Sequence, residues 1–509
     1  MEQNSMHFEA KLSRRSLLSG AAGFAVSAAF RPLLAASGDL AGLTLRQASE
    51  LLRGKKASPV DLTEACLARI EKYNPSLNAF ITVLKDQALE TARKMDAEQK
   101  KGKWRGPLHG IPIALKDNMD TAGVRTTGAS ELFKDRIPTE DAEVVRRLKE
   151  AGAIILGKLN MHELAYGGSS TVTYFGPVHN PWDLTRVPGG SSGGSAVAVA
   201  SDLCFGALGT DTAGSVRIPA SFCGTVGLKP TYGRVSIRGV IPLSTSLDHV
   251  GPLTKTVEDT ALMLGVIAGY DQADPTTANV PVPDYTRAMT MRASKLRLGL
   301  PRKPFFDGLD PEVAKAVDTA VETLRKLVAS VMDVNIPTAQ NPGEVWDAEI
   351  YAYHAKWIQE TPQLYQPATR AAILRSGQEK AETYARALWN MQLQRREIEK
   401  SFADIDLLIT PTIPGLPGLI APAGRGAQAP NASNRGGGTQ TRVRGEAANT
   451  SPFDIFGLPT ITVPCGFSSS GLPVGLQISG APFAESNVLA LAHAYEQATE
   501  WHRRHPKLG

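Results

Sequence analysis

The feature that most constrains this chain is a segment of small residues at positions 187–220. It reads VPGGSSGGSAVAVASDLCFGALGTDTAGSVRIPA. Ser191 and Ser215, 24 positions apart, each follow a glycine, and histidine is absent. Small residues at this density let the backbone approach another group closely and let consecutive N–H groups converge on one point. The segment therefore predicts a backbone cradle beside two hydroxyl groups.

Short apolar runs alternate with helical patterns along the rest of the chain. Strands are predicted at residues 111–118, 151–160, 235–239, 295–302, 330–337 and 405–412, and residues 197–211 predict a helix followed by a strand. Helices are predicted within 43–103, where Ser58-Pro59 favours a helix start, and at 311–330. Residues 460–467 and 472–480 predict a hairpin. This alternation predicts an α/β fold, with a mixed central sheet covered by helices on both faces.

The domain organisation follows from the places where this pattern breaks. Residues 1–36 form a leader, and we expect residues 37–509 to form one large domain. Within it, residues 281–404 are more helical and polar. Residues 421–450 lack periodicity and are rich in Gly, Ala, Asn and Arg, which predicts an irregular insertion that could serve as a lid.

The leader has the pattern of a twin-arginine export signal. Arg14 and Arg15 precede a weakly apolar stretch that is too short to cross a bilayer, and small residues near Ala36 and Ser37 favour cleavage. The pattern predicts removal of the leader and a periplasmic or secreted protein. The alternative is an uncleaved amphipathic helix or membrane anchor.

Charge and cysteine usage limit the partners that we expect. The formal net charge is only +5 and no block of Lys or Arg marks a basic face, so we expect neither a nucleic-acid partner nor a membrane partner after removal of the leader. The four cysteines do not pair at metal-ligand spacing. We expect all four to be buried free thiols, namely Cys66, Cys204, Cys223 and Cys465. Export would make a disulfide possible.

Three kinds of site can be considered for the serine–glycine segment. A phosphate-binding loop is excluded because the G-K-[ST] sequence is missing. Residues 189–193 match the G-x-S-x-G of a nucleophile elbow, but the preceding NPWDLTRVPGG does not predict the strand that an elbow requires. The third kind is an oxyanion hole at residues 212–215, with the Ser215 hydroxyl placed to attack a carbonyl group.

The base for such a nucleophile is predicted to be Lys116. It ends an apolar run, and burial disfavours an ammonium group, so part of this lysine would be a neutral amine near pH 7. A neutral amine can accept a proton from a serine, and Ser191 could relay protons between Lys116 and Ser215. The alternative is that Lys116 only pairs with a carboxylate such as Asp117.

Several motifs resemble the amidase signature family in the same order along the chain. They are GIPIALKDN, GKLNMHELAYGGSS, the serine–glycine segment, FCGTVGLKPTYGRVS, DLLITPT and SPFDIFGLPTITVPCG, and the resemblance spans residues 43–500. It implies a single amidase-signature domain with a Ser–cisSer–Lys triad. Ser215 matches the nucleophile, Lys116 the base, and Ser191 the relay serine, which follows a cis Gly190–Ser191 bond.

The resemblance also implies the surroundings of this triad. The amides of the oxyanion hole would be those of Thr212, Ala213, Gly214 and Ser215. Ala165 and Ser191 would line the substrate cleft, and Asp211 and Arg217 would form a pair that holds the loop. Ser192 and Ser195 are expected to be hydrogen-bonding supports, and His109, His162 and His179 to be structural. The family uses neither a metal nor an organic cofactor.

The resemblance implies hydrolysis of a linear carboxylic amide to a carboxylate and an amine or ammonia through an acyl-enzyme. The main prediction is a free-standing exported amidase that acts on a small-molecule amide and that could form a homodimer. The alternatives are the A subunit of an aminoacyl-tRNA amidotransferase, an amidase-fold carbamate or ester hydrolase, and a non-catalytic binding protein.

Overall fold

The computed structural model describes residues 40–340, 343–421 and 445–508. The predicted leader lies outside the described residues, and so does most of the predicted insertion, of which only residue 421 and residues 445–450 are described. The predictions of export and of a lid therefore stay predictions, as does the proposed division of the chain into domains.

In the described ranges, eleven strands form one mixed sheet. Their bounds are Phe80–Val83 (β1), Pro112–Lys116 (β2), Ile154–Leu159 (β3), Gly206–Asp211 (β4), Val226–Lys229 (β5), His249–Thr254 (β6), Arg297–Leu300 (β7), Ser330–Asp333 (β8), Leu407–Pro411 (β9), Thr460–Phe467 (β10) and Pro473–Gly480 (β11). The spatial order is β1-β3-β2-β4-β6-β5-β10-β11-β9-β7-β8. The sheet is mixed, as predicted.

Two parallel groups of strands are joined by an antiparallel centre. Strand β2 pairs in parallel with β3 and β4, and β7 pairs in parallel with β8 and β9, whereas the other neighbours are antiparallel. Every residue of β2, β3 and β4 is buried, as is typical of strands covered on both faces. The carboxyl ends of β2 and β4 therefore meet at one edge, where the candidate site lies.

Helices flank this sheet. In the described residues they are Leu45–Arg53 (α1), Pro59–Leu77 (α2), Lys85–Lys100 (α3), Glu143–Glu150 (α4), Gly193–Ala200 (α5), Arg217–Cys223 (α6), Val257–Ile267 (α7), Arg302–Phe305 (α8), Pro311–Arg325 (α9), Gly343–Glu360 (α10), Pro367–Ser376 (α11), Ala381–Glu399 (α12), Ser451–Ile455 (α13) and Glu485–Gln497 (α14). Helix α2 begins where predicted, because Ser58 and Asp61 form a reciprocal cap and Pro59 occupies the first turn.

Helices α10 and α11 pack beside one end of the sheet. Ile350, Ile358 and Ile373 from these helices form an apolar cluster with Leu164 and Ala165, which lie in the loop after β3. Segment 281–404 contains these helices and α12, but it also contributes β7 and β8 to the sheet. The helical layer therefore contacts the loop predicted to line the substrate cleft.

Some predicted elements differ from the structure. Residues 235–239 are not a strand; they form a loop in which Ser236 Oγ lies 2.9 and 3.0 Å from carboxylate oxygens of Asp271 and Asp274. Strands β1, β5 and β6 were not predicted. The four cysteines are buried free thiols, as predicted. No helix in the described ranges is long and apolar enough to span a membrane.

Candidate active site

Lys116 lies at the end of β2 and is fully buried. Its Nζ is 2.7 Å from Ser191 Oγ and 2.7 Å from Oγ1 of Thr210, which lies in the parallel neighbour β4. Burial lowers the pKa of Lys116 to about 7, although the negative charges of Asp248 and Asp211 oppose that shift. A large fraction of this lysine is therefore a neutral amine at neutral pH, which is the form that accepts a proton.

Asp117, the next residue, has a different cationic partner. Its carboxylate lies 3.4 Å from Lys158 Nζ and accepts a hydrogen bond from Thr127 N at 2.9 Å. Lys158 belongs to β3 and also donates to Met119 O at 2.7 Å. The alternative in which Lys116 only pairs with Asp117 is therefore wrong, because hydroxyl groups surround the Lys116 amine and Lys158 takes the carboxylate.

The peptide bond between Gly190 and Ser191 is cis, as the family resemblance predicts. The Ser191 carbonyl accepts hydrogen bonds from His162 N at 3.1 Å and from Ser170 Oγ at 3.2 Å. Ser170 Oγ also accepts from Gly193 N at 3.0 Å. A Cβ at Gly190 would lie 2.7 Å from Ser170 Oγ, so glycine is required before Ser191. Sequence reasoning missed Ser170, although it lies in the GGSS motif.

Ser192 and Ser195 attach the start of α5 to β4. Ser192 Oγ donates to Thr210 O at 3.1 Å and accepts from Thr210 N at 3.2 Å, and Ser195 Oγ donates to Leu208 O at 3.0 Å. Both hydroxyls are buried and serve as supports in this structure. The residues before Gly189 form turns with isolated bridges, so the strand that a nucleophile elbow requires does not form here.

The loop of residues 212–215 connects β4 to α6. Asp211, the last residue of β4, accepts hydrogen bonds from Gly214 N at 2.6 Å and from Val216 N at 3.0 Å. Because Asp211 engages the Gly214 N–H, the predicted oxyanion hole needs correction. The amides of Thr212, Ala213 and Ser215 stay the predicted donors.

Arg217 stabilises this loop through ion pairs with two carboxylates. It is fully buried, its Nη2 lies 2.9 Å from Asp211 and 2.6 Å from Asp454, and its Nη1 donates to Thr450 O at 2.9 Å. Burial raises the pKa of Asp211, but the charge and hydrogen bonds of Arg217 outweigh burial and hold it below its usual value. The predicted Asp211–Arg217 pair therefore forms, with Asp454 as an additional carboxylate that sequence reasoning missed.

Thr450 supports the same loop from the opposite end of the sequence. Thr450 Oγ1 donates to Ala213 O at 2.6 Å. A Cβ at Gly214 would lie only 2.2 Å from Thr450 Oγ1. Gly214 also has a φ of +128°, which disfavours any side chain. The SPFDIFGLP motif that begins at Ser451 was the sequence signal for this support, but it did not indicate which loop it contacts.

Ser215 and Ser191 differ in their access to solvent. Ser215 is 9% exposed, whereas Ser191 is fully buried. Ser192 N donates to Ser215 O at 3.2 Å, which brings the two serine-bearing loops together. This arrangement supports the prediction that Ser215 meets the substrate and Ser191 lies between it and Lys116.

The predicted cleft residue Ala165 lies in a short loop with left-handed backbone, φ +61°. Polar contacts tie this loop to the helical layer. Glu163 accepts a hydrogen bond from Gln366 N at 2.9 Å, and Tyr166 OH donates to Asp347 at 2.8 Å. The position of Ala165 is thus set jointly by the loop after β3 and by helices α10 and α11.

The histidines predicted to be structural make local contacts. The His109 ring contacts Met95 O at 3.0 Å and the His179 ring contacts Leu184 O at 2.7 Å. Burial, reinforced by the charge of Lys116, lowers the pKa of His162 to about 3, so this ring is neutral. In the residues that the structure covers, no three His, Cys, Asp or Glu side chains are grouped to hold a metal ion.

Comparisons with known proteins agree with this geometry. A family model described as Amidase matches residues 61–489. The A subunit of glutamyl-tRNA(Gln) amidotransferase from Moorella thermoacetica is 42% identical to this chain, over 92% of this chain and 99% of that protein. The crystal structure of the corresponding A subunit from Thermotoga maritima superposes with a TM-score of 0.72 at 34% identity, covering 90% of this chain and 95% of that one. The crystal structure of a peptide amidase in complex with the inhibitor chymostatin superposes with a TM-score of 0.80 at 31% identity. The match covers 92% of this chain and 99% of that one.

These relatives correct the functional prediction. The curated relatives that match at 39–42% identity are amidotransferase subunits, and this chain covers nearly their whole length. The prediction of a free-standing amidase for a small-molecule amide is therefore wrong, and the alternative of an amidotransferase subunit fits better. Because these relatives are named for a tRNA, the expectation that no nucleic acid takes part is not supported either.

The fold, the order of the motifs and the match over most of the chain all indicate one family. This chain belongs to the amidase family, and it is an α/β enzyme that acts on carbon–nitrogen bonds.

Proposed function

We propose that this chain is the A subunit of an amidotransferase. It would hydrolyse the carboxamide of a donor and pass the released ammonia to an acceptor carboxyl group, as in an enzyme that acts on glutamyl-tRNA(Gln). The observation that carries this proposal is the 42% identity to such a subunit over 99% of its length. The partners would then be the other subunits of the enzyme and a charged tRNA.

The donor amide would be cleaved at Ser215. As Ser215 Oγ attacks the carbonyl carbon, its proton passes to Ser191 Oγ while the Ser191 proton passes to Lys116 Nζ. The distance of 2.7 Å between Lys116 Nζ and Ser191 Oγ supports this second transfer. A lysine with a pKa of about 7 is poised to accept a proton at neutral pH and to return it later.

The oxyanion that forms would be bound by the amides of Thr212, Ala213 and Ser215. When the tetrahedral intermediate collapses, the carbon–nitrogen bond breaks and the proton returns from Lys116 through Ser191 to the nitrogen, which leaves as ammonia. Water then attacks the acyl-enzyme by the same relay, and the donor leaves as a carboxylate. Preorganised donors in such loops supply about 2.7–4 kcal/mol each in other acyl-transfer enzymes.

The proposal is tested by separating the two halves of the reaction. This chain replaces the A subunit in a reconstituted glutamyl-tRNA(Gln) amidotransferase, and formation of amidated tRNA is measured with either glutamine or ammonium chloride as nitrogen source. We expect the S215A variant to lose glutamine-dependent amidation and to retain ammonia-dependent amidation, because only the first requires cleavage of a donor amide.

The matched control is S468A, a serine in the turn between β10 and β11, which we expect to support both reactions. Failure of the unaltered chain to support glutamine-dependent amidation, together with hydrolysis of amides in isolation, would overturn the assignment to an amidotransferase while leaving amide cleavage intact.

A further inference from the structure

Asp248 is a buried carboxylate that the chemistry above does not use. One of its oxygens accepts a hydrogen bond from Thr212 Oγ1 at 2.5 Å. The other accepts from Leu243 N at 2.9 Å and from Ser244 N at 3.1 Å. The carboxylate is thus anchored by one loop and holds the first residue of another, the loop that carries the predicted oxyanion donors.

The sheet explains why these two residues meet. Strands β4 and β6 are antiparallel neighbours, and their register pairs Asp211 with His249. Thr212 follows Asp211 and Asp248 precedes His249, so both residues leave the sheet side by side at the same edge. Lys116 ends the next strand, β2, at this edge.

Asp248 also acts on Lys116 through its charge. It is the carboxylate whose negative charge most strongly opposes the effect of burial on the lysine, ahead of Asp211, which Arg217 neutralises. His162, which also senses the charge of Lys116, is a neutral ring. In the described part of the chain, Asp248 is therefore the main negative charge acting on Lys116 that Arg217 does not neutralise.

The groups around Asp248 set its own ionisation. Burial raises the pKa of Asp248 to about 6, the hydrogen bond from Thr212 opposes this, and the negative charge of Glu349 adds to it. Tyr232 also faces this charge; burial raises the pKa of its hydroxyl to about 12, so it stays neutral. Asp248 is consequently ionised at and above neutral pH.

We propose that Asp248 is a positioning residue that couples the oxyanion loop to the base. Its hydrogen bond fixes Thr212 so that the Thr212 amide is directed at the oxyanion, and its negative charge keeps Lys116 basic enough to take a proton. This inference rests on the proposed function, because it assumes that Lys116 and Ser215 form the reacting pair.

The test uses the rate at which a fluorophosphonate probe labels Ser215, measured from pH 5 to 9 in the full chain, so that it does not depend on the donor amide. The D248N variant should label about tenfold more slowly at pH 8, and the acid limb of its profile should move to lower pH by about one pH unit. The sign follows because loss of a negative charge favours the neutral form of Lys116.

Three further variants separate positioning from mere structure. T212V should label about tenfold more slowly at pH 8, where Asp248 keeps its charge but no longer fixes residue 212, and T212S should restore the rate. The matched control is D259N, since Asp259 is an equally buried carboxylate whose pKa burial raises to about 6, but which binds the start of α1. D259N should leave the limb in place.

The double variant D248N/T212V should label no more slowly than the slower single variant. Both changes remove the same hydrogen bond, the one from the Thr212 hydroxyl to the Asp248 carboxylate. An acid limb that stays in place in D248N, or that moves equally in D259N, would overturn the proposal, as would fully additive rate losses. If the unaltered chain does not support tRNA amidation while the labelling rates of the variants are as expected, only the amidotransferase assignment is contradicted.

Discussion

Lys116 Nζ and Ser191 Oγ lie 2.7 Å apart although 75 residues separate them in sequence. The contact joins the end of β2 to the cis peptide before α5, and Thr210 in β4 completes the surroundings of the amine. Because two sheet strands and one helix start fix these atoms, the lysine is held in place before any donor binds. The following outcomes are expected from this arrangement.

The first prediction concerns the identity of the nucleophile. A fluorophosphonate should label Ser215, S215A should abolish labelling and turnover, and K116A should slow labelling by at least ~100-fold because no base remains. S191A should fall between these two, since base and nucleophile remain but the relay is lost. Peptide mapping after labelling gives the measurement, and a label on Ser191 or Ser192 would instead support a nucleophile elbow.

The second prediction concerns stability against pH. Because burial lowers the pKa of Lys116 from 10.5 to about 7, the folded chain binds fewer protons than the unfolded chain between these values. The buried lysine therefore lowers the free energy of unfolding by its full amount below pH 7, and this penalty disappears as the pH rises above 10.5. K116M should raise Tm by roughly 2–5 °C at pH 6 and by much less at pH 10, because most of the penalty has gone at that pH.

Thermal unfolding followed by circular dichroism provides the measurement, and the exposed Lys101→Met is the control. Equal gains at both pH values would show that packing, rather than the protonation of Lys116, accounts for the change.

The third prediction concerns the oxyanion loop. Gly214→Ala forces a Cβ against Thr450 and strains a left-handed backbone, so kcat should fall by about 100-fold or more. The matched control is Gly265→Ala on α7, where a Cβ meets nothing within 4 Å and a helix favours alanine by up to about 1 kcal/mol. Activity of Gly214→Ala within tenfold of the unaltered chain would contradict the predicted role of this loop.

The fourth prediction concerns the wall of the cleft. Tyr166→Phe removes the hydrogen bond to Asp347 while preserving the ring, so the loop that carries Ala165 should loosen from α10. KM for the donor amide should rise several-fold while kcat stays within about twofold, because Lys116 and Ser191 are untouched. Steady-state kinetics decide this, and a fall in kcat at constant KM would argue against a wall role.

The fifth prediction concerns location. A twin-arginine leader predicts export of the protein, whereas a function on tRNA requires the protein to stay inside the cell. If the leader is used, Arg14→Lys with Arg15→Lys should retain the protein in the cytoplasm, and the exported form should begin near Ser37. If the amidotransferase proposal holds, cell fractionation should find the protein inside the cell with or without these changes. An exported, processed chain would contradict the proposed function.

The sequence predicts the parallel group of strands well because their signals are local. The apolar runs that predict β2, β3 and β4 are continuous, fully buried and bounded by turns. Strand β6 was missed because glycine and proline interrupt its HVGPLT sequence, and it is stabilised instead by pairing with β4 and β5. Residues 235–239 have strand-like alternation, but their pairing is limited to one isolated bridge in the described ranges, between Val235 and Ala268.

The candidate site divides in the same way. Lys116, Ser191 and Ser215 could be assigned from the family motifs, and the structure brings the lysine and Ser191 into contact. Thr450 and Asp454 were missed because they lie more than two hundred positions from the loop that they support. The engagement of Gly214 N by Asp211 was missed because it depends on the turn after β4 rather than on residue type.

The division between the sheet edge and the cleft wall has an evolutionary consequence. The groups assigned to bond cleavage are fixed by backbone pairing between β2, β4 and β6, whereas the wall at residues 163–166 is held to α10 and α11 by replaceable side chains. Mutations can therefore accumulate in the wall without disturbing the base. A change in the wall can then alter which donor amide fits the cleft while the contact between Lys116 and Ser191 stays as it is.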